Sequence, residues 1–285
     1  MANIRLIRRR IKGIQSTAKI TRAMEMIATL KMKRAQERGL AGRPYSDKIS
    51  QVLADLAALP RGEEAPHPLL QSRPVNKIAV VHITPDRGLC GGLNANINRL
   101  TANFILEQSV PVTLIAVGRK GLEFMRRYDR DIRAEFIQLG DQPNLLDTLP
   151  ISRIVIDDYT GGVVDQVFLV YTQFITTMVQ KPFMKQILPV EPAAIPQAQN
   201  VDYIYEPNPA AVLGELLPRF VEMQVYHAIL ESIASKQSAQ MVAMRNATDN
   251  ANELIEDLTL MYNKARQETI TKELLDITGG AAALT

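Results

Sequence analysis

Four places in this 285-residue chain carry residue types that could do chemistry. The first is the loop PDRGLCGG at 85–92, which follows an apolar run and precedes a helical pattern. That is the setting in which glycines cradle phosphate at a helix N-terminus. Yet Gly88, Gly91 and Gly92 fit neither G-x-G-x-x-G nor G-x-x-x-x-G-K-[ST], and no acid stands at the distance that would hold a ribose. Tight loop packing is the plainer reading. The second place is Cys90 in the same loop, where Arg87 would lower the thiol pKa, but no histidine is near in sequence to act as its base. The third is the set His67, His82 and His227, too scattered for metal-ligand spacing. The fourth is the pair Asp157 and Asp158, which diverge by about 100° on a helix and so cannot flank one substrate. The sequence predicts no catalytic residue, no metal and no cofactor.

The elements that hold these residues are more informative. A single cysteine excludes an intramolecular disulfide, and no run reaches the ~18 apolar residues of a membrane span. The net charge of +3 is divided unevenly: residues 1–43 hold twelve Lys/Arg against Glu25 and Glu37, a net +10, which leaves −7 on the rest. Such a concentration calls for a partner. Its start is Arg-rich like an organelle transit peptide, but the pattern does not stop where such a peptide would. Ile4, Ile7, Ile11, Ile14, Ala18 and Thr21 follow at 3-4-3-4-3, a heptad seam, and a second stripe through Ile20, Ala23, Met24, Ile27 and Leu30 is the drift of a 3.6-residue helix against that repeat. Gly39, Gly42 and Pro44 could bend the helix. Tyr45, Ile49, Val52, Leu56 and Leu59 then resume the spacing up to Pro60. Unbroken over 3–59, the helix is about 85 Å long.

A second long helix occupies the other end, from Pro209 to about Ile277, with Pro218 as a kink or as the end of a first short helix. Ile233, Gln237, Met241, Met244, Thr248, Ala251, Ile255, Leu258, Tyr262, Ala265 and Thr269 recur in heptads, with one irregular step near Gln237. Several seam residues are small, as suits either an ordinary helical core or a slim two-stranded rod. Antiparallel pairing is the simpler choice if both helices leave one globular domain.

After the proline-rich connector 60–74, strands are predicted at 77–84 (KIAVVHIT), 112–117 and 166–174, with a further one possible around 134–138. Helices fall at 93–108, 121–127 and 150–159, and short strands or loops fill 183–206. The fold class is α/β with long helical arms: an antiparallel coiled coil of N- and C-terminal helices plus a central doubly wound α/β domain. The expected domains are 1–59, 75–206 and 207–285.

Three stretches in this frame closely resemble the gamma subunit of F-type ATP synthase: KITRAMEMIATLKMKRAQ (19–36), DRGLCGGLNANI (86–97) and AMRNATDNANELIEDLTLMYNKARQETITKELLDITGGAAAL (243–284). The resemblance runs through the whole chain in order and is of the bacterial type, without the chloroplast redox insertion. It implies a non-catalytic rotor shaft that couples a proton-driven membrane c-ring to conformational change in catalytic beta subunits. The implied partners are alpha and beta subunits, epsilon and the c-ring, with no nucleic acid and only indirect membrane attachment. The implied place is the cytoplasmic face of the bacterial plasma membrane.

Carried over by position, Lys19, Arg22, Met24, Lys31 and Lys33 resemble the belt that meets beta levers. Gln267, Thr271 and Glu273 resemble polar positions that engage beta loops near the tip, and Tyr203, Tyr205 and Glu206 the foot on the c-ring and epsilon. Gln240 and Asp276 depart from residues found in some relatives. The competing classes are a basic-helix nucleic-acid-binding protein, a coiled-coil adaptor and an α/β enzyme with helical arms. Residues 1–43 contain no aromatic, which disfavours the first.

Overall fold

The computed structural model describes residues 2–58, 67–190 and 205–282. The chain forms two compact units. One joins Met1–Ala28 to Gln240–Thr285; the other is Thr29–Ala239. Two long helices, α1 (Ala2–Ala58) and α5 (Pro209–Ala282), contribute to both. Neither Gly39, Gly42 nor Pro44 ends α1, and Pro218 does not divide α5. An interior proline costs about 3 kcal/mol, but next to Pro218 the fully buried Leu217 and Val221 each contribute about 1.5–3 kcal/mol of apolar burial, enough to hold the helix. Gly42 has a local reason: a Cβ there would lie 2.9 Å from Cε1 of His227 on α5.

The larger unit is built on a five-stranded sheet in the order β3-β2-β1-β4-β5, formed by β1 (Ile78–Ile83), β2 (Val112–Val117), β3 (Ile132–Phe136), β4 (Gln166–Phe174) and β5 (Gln180–Leu188). The first four strands run parallel and β5 is an antiparallel edge. Three helices lie between them, α2 (Leu93–Glu107), α3 (Arg119–Arg127) and α4 (Leu145–Thr160). Alternation along β1 sorts the core into two layers. Ala79, Val81 and Ile83 pack with Ile151, Val155 and Tyr159 of α4 and with Leu53 of α1 and Val221 of α5. Ile78 and Val80 pack on the other face with Ile97 of α2 and Met125 of α3. Helices on both faces make the domain doubly wound.

Three features differ from the sequence reading. β5 starts at Gln180, ahead of the predicted loops, and contains Pro182; a proline is tolerated because this strand is an edge. α4 starts five residues before Pro150, because Asp147 accepts the backbone N–H of Asn144 at 2.7 Å and Asn144 caps the helix in return. The third is the seam of α1, which stays on Thr21 and Ala28 and leaves Ile20 and Ile27 exposed.

Candidate partner-binding surface

Within the smaller unit α1 and α5 run antiparallel: Thr21 meets Thr248 with their hydroxyls 2.7 Å apart, and one turn along, Arg245 Nε donates to Glu25 at 2.9 Å. Ala18, Thr21 and Ala28 are buried on α1, and Thr248 and Ala251 on α5 beside the larger Met244, so small residues make up most of the contact line. They let the two backbones approach closely. The Thr21–Thr248 pair is buried and fully engaged, since Thr248 also donates to the Met244 carbonyl at 2.9 Å.

The predicted drift of the α1 seam does not occur. Ile20, Ile27 and Leu30 are exposed, at 60%, 53% and 61%, while Thr21, Ala28, Met32 and Ala35 stay buried. Supercoiling under-winds the helix to 3.5 residues per turn, so a heptad stays on its seam. The apolar stripe that was expected inside is therefore an outward face.

The outward face of α1 is also basic. Arg5, Arg8, Lys12, Lys19 and Arg22 are exposed and succeed one another at helical spacings of three, four, seven and three, with Met26 four further on. The family resemblance points to Lys19 and Arg22 of this stripe but not to Arg5, Arg8 and Lys12, which helical spacing adds to the same face. Met24 is half-buried and flanks the seam instead. On α5, Gln267 and Thr271 are exposed and share a face with exposed Ile270 and Leu274; Glu273 is also exposed and lies three residues from Ile270.

In the larger unit Lys33 is exposed. Lys31 is not idle: its Nζ lies 2.6 Å from Asp141 Oδ2. Burial pushes the Asp141 carboxyl up, but the Lys31 hydrogen bond and the Lys236 and Lys31 charges outweigh it and hold the carboxyl below its ordinary value. Tyr205 is half-buried and Glu206 exposed; Tyr203 lies outside the described residues.

The glycine loop at the C-terminal end of β1 sits where open α/β sheets bind ligands. Its acid is turned back onto the fold. Asp86 accepts the backbone N–H of Arg119 at 2.9 Å and of Gln138 at 3.1 Å, tying together the loops after β1, β2 and β3. Gly118 completes the junction, with φ 93° and no room for a side chain against the Thr84 carbonyl. Cys90 is buried, and desolvation raises its thiol pKa more than the Lys236 charge and nearby backbone hydrogen bonds lower it, the opposite of the activation expected from Arg87. His82 is enclosed in β1, with Nε2 2.9 Å from Asn98 Oδ1 and Nδ1 2.9 Å from Thr101 Oγ1. Asp158 is paired with Arg133 at 3.1 Å. Among the described residues no group of three or more His, Cys, Asp and Glu is placed to hold a metal, and no helix is long and apolar enough to cross a membrane.

A family model described as ATP synthase matches residues 3–284. An ATP synthase gamma chain of Dehalococcoides mccartyi strain 195 is 69% identical over 284 residues, covering 100% of both chains. This chain belongs to the ATP synthase gamma-chain family. A gamma chain of Herpetosiphon aurantiacus is 49% identical over 293 residues, covering 100% of this chain and 99% of the relative. Among solved structures, a chain of the rotor of Euglena gracilis mitochondrial ATP synthase aligns over 94% of this chain and 99% of its own length, with a TM-score of 0.66 at 19% identity. A chain of the central stalk and c-ring of the Tetrahymena thermophila enzyme aligns over 80% of this chain and 99% of its own, with a TM-score of 0.60 at 24% identity. At those identities they establish the gamma-chain fold: paired terminal helices and a central α/β domain.

Proposed function

We propose that this chain is the central shaft of a proton-translocating F-type ATP synthase, turning with the membrane c-ring and driving catalytic beta subunits through their conformations. The observation that carries the reading is the full-length match to gamma chains, joined to a two-helix contact line of small residues with basic and apolar side chains facing outward. Catalysis belongs to beta in this reading, and the chain attaches to the cytoplasmic face of the bacterial membrane only through its partners, alpha, beta, epsilon and the c-ring. Its working parts are the helical segments 1–59 and 207–285 and the α/β segment 75–206.

Lys19, Arg22 and Lys33, with Met24, form the belt that meets acidic beta levers; Lys31 belongs to the belt only if it leaves Asp141. Exposed ion pairs contribute about 0–1 kcal/mol each, so such a belt transmits push without trapping one angle. Gln267, Thr271 and Glu273 engage beta loops, and Tyr203, Tyr205 and Glu206 form the foot on the c-ring and epsilon.

The test is single-molecule rotation of the assembled complex with Lys19, Arg22 and Lys33 all changed to Gln. Lower torque at unchanged assembly supports the belt, and unchanged torque and ATPase rate reject it. Isolation of the chain from membranes with no alpha or beta attached would sink the shaft reading itself.

A further inference from the structure

The heptad of α5 breaks its rhythm once, with two steps of four across Ile233, Gln237 and Met241. A four-residue stutter locally unwinds a coiled coil and rotates a different face outward. In the larger unit that turned face meets the α/β domain. Ser235 Oγ donates to the Thr172 carbonyl of β4 at 2.9 Å, and Ser238 Oγ to the Thr177 carbonyl in the β4–β5 turn at 2.7 Å. Gln180 Nε2 of β5 donates back to Ser238 Oγ at 3.3 Å. Both serines are fully buried.

Between these two serines, α5 reaches the loop that follows β3. Gln237 Nε2 donates to Asp141 Oδ1 at 2.9 Å, and Lys236 Nζ lies 3.5 Å from the same oxygen. The second oxygen of Asp141 takes Lys31 of α1, and its neighbour Gln142 accepts from Arg38 of α1 at 2.8 Å. One carboxylate thus joins both long helices to the sheet.

We infer that Asp141 and the Ser235–Ser238 stretch are the grip by which the α/β domain holds the helix pair against twisting, with Asp141 as its positioning residue. The inference rests on the shaft reading and adds where torque enters the helices. Apolar packing alone would not suffice. The contacts of Leu53 and Val221 with the sheet are strong but non-directional, so they resist separation far better than a small rotation of a helix about its own axis. Hydrogen bonds and ion pairs fix angle as well as distance. Ala228 and Ile229 are the last fully buried residues that α5 gives to the cluster around the sheet, and just beyond them Ser235, Gln237 and Ser238 add buried polar contacts beside Ala234 and Met241. Beyond this point both helices continue into the other unit, so any slack here is added to the whole shaft.

The experiment uses the assembled head-and-shaft complex, with a bead attached at the exposed edge-strand position through Lys181→Cys. The angular variance of the bead is recorded while the complex is paused with nucleotide bound. Asp141→Ala removes three of the seven polar links, those to Lys31, Lys236 and Gln237. For links acting in parallel the variance rises by up to about two-fold. Asp141→Asn keeps the shape and the acceptor for Gln237, and its rise is smaller. Ser235→Ala with Ser238→Ala leaves the carboxylate in place and raises the variance as well. The unloaded ATPase rate stays unchanged in all three, which separates a soft grip from a damaged head. Variance equal to that of the unaltered chain in both the Asp141 and the serine variants overturns the inference while leaving the shaft reading intact. An unaltered complex that never rotates overturns the shaft reading and the grip with it.

Discussion

Lowering the pH should destabilise the α/β domain through one side chain, His82. It sits at the centre of the sheet on β1, fully buried, with Gly121 so close that a Cβ there would lie 2.6 Å from the imidazole Cδ2. Desolvation lowers its pKa to about 4 from an ordinary 6.5, with the Asn98 hydrogen bond opposing part of the fall. The folded chain therefore keeps the ring neutral over a range in which the unfolded chain protonates it. Stability is unaffected above 6.5 and falls as pH drops from there towards 4, because the unfolded state binds the extra proton. The slope over that window is about 1.4 kcal/mol per pH unit, and the accumulated loss by about pH 4.5 is about 2.5 kcal/mol. Urea unfolding of the full chain across this range, set beside the non-titrating His82→Gln variant, reads the difference directly. His67 is also lowered by burial, and the comparison cancels its contribution. Equal slopes in the two proteins, or a His82 imidazole resonance that titrates near 6.5 in the folded chain, would refute the reasoning.

Two further perturbations follow from the packing. Gly118→Ala places a Cβ 1.8 Å from the Thr84 carbonyl oxygen at a left-handed φ; the variant should lose more than about 4 kcal/mol, seen as a chain that no longer unfolds cooperatively in urea. In the paired helices, Thr21→Val and Thr248→Val should each cost about 1 kcal/mol, while the double variant costs less than their sum, since two apolar partners leave no unsatisfied hydroxyl. Strict additivity in a double-mutant cycle by urea denaturation would show that the hydroxyls do not interact.

The parts of the molecule that repeat were legible in the sequence. The α5 heptad from Ile233 to Thr269 is buried or half-buried at each position it selected, and on α1 the same holds from Ile4 to Thr21. β1, β2 and β4 are the apolar runs that were read as strands, because strands covered on both faces leave continuous hydrophobic sequence. Edges were harder. β5 alternates half-buried with exposed residues and contains Pro182, so neither composition nor continuity marks it. The start of α4 was hidden by Pro150, although the Asn144–Asp147 box was there to be read.

What the sequence determined by itself was periodicity: which residues can share a face, where charge is concentrated, and which family's motifs run through the chain. Only the tertiary structure decided what each face meets. The family resemblance groups Lys31 with Lys19 and Lys33 as one more basic residue of a belt, yet Asp141, 110 residues away, engages it. Ile20, Ile27 and Leu30 look like core by composition and lie outside, because the supercoil keeps its seam on Thr21 and Ala28. A helix knows its own period from local geometry, but the partner that covers a given face is set by chain elements far apart in sequence, brought together only when the sheet and both helices pack.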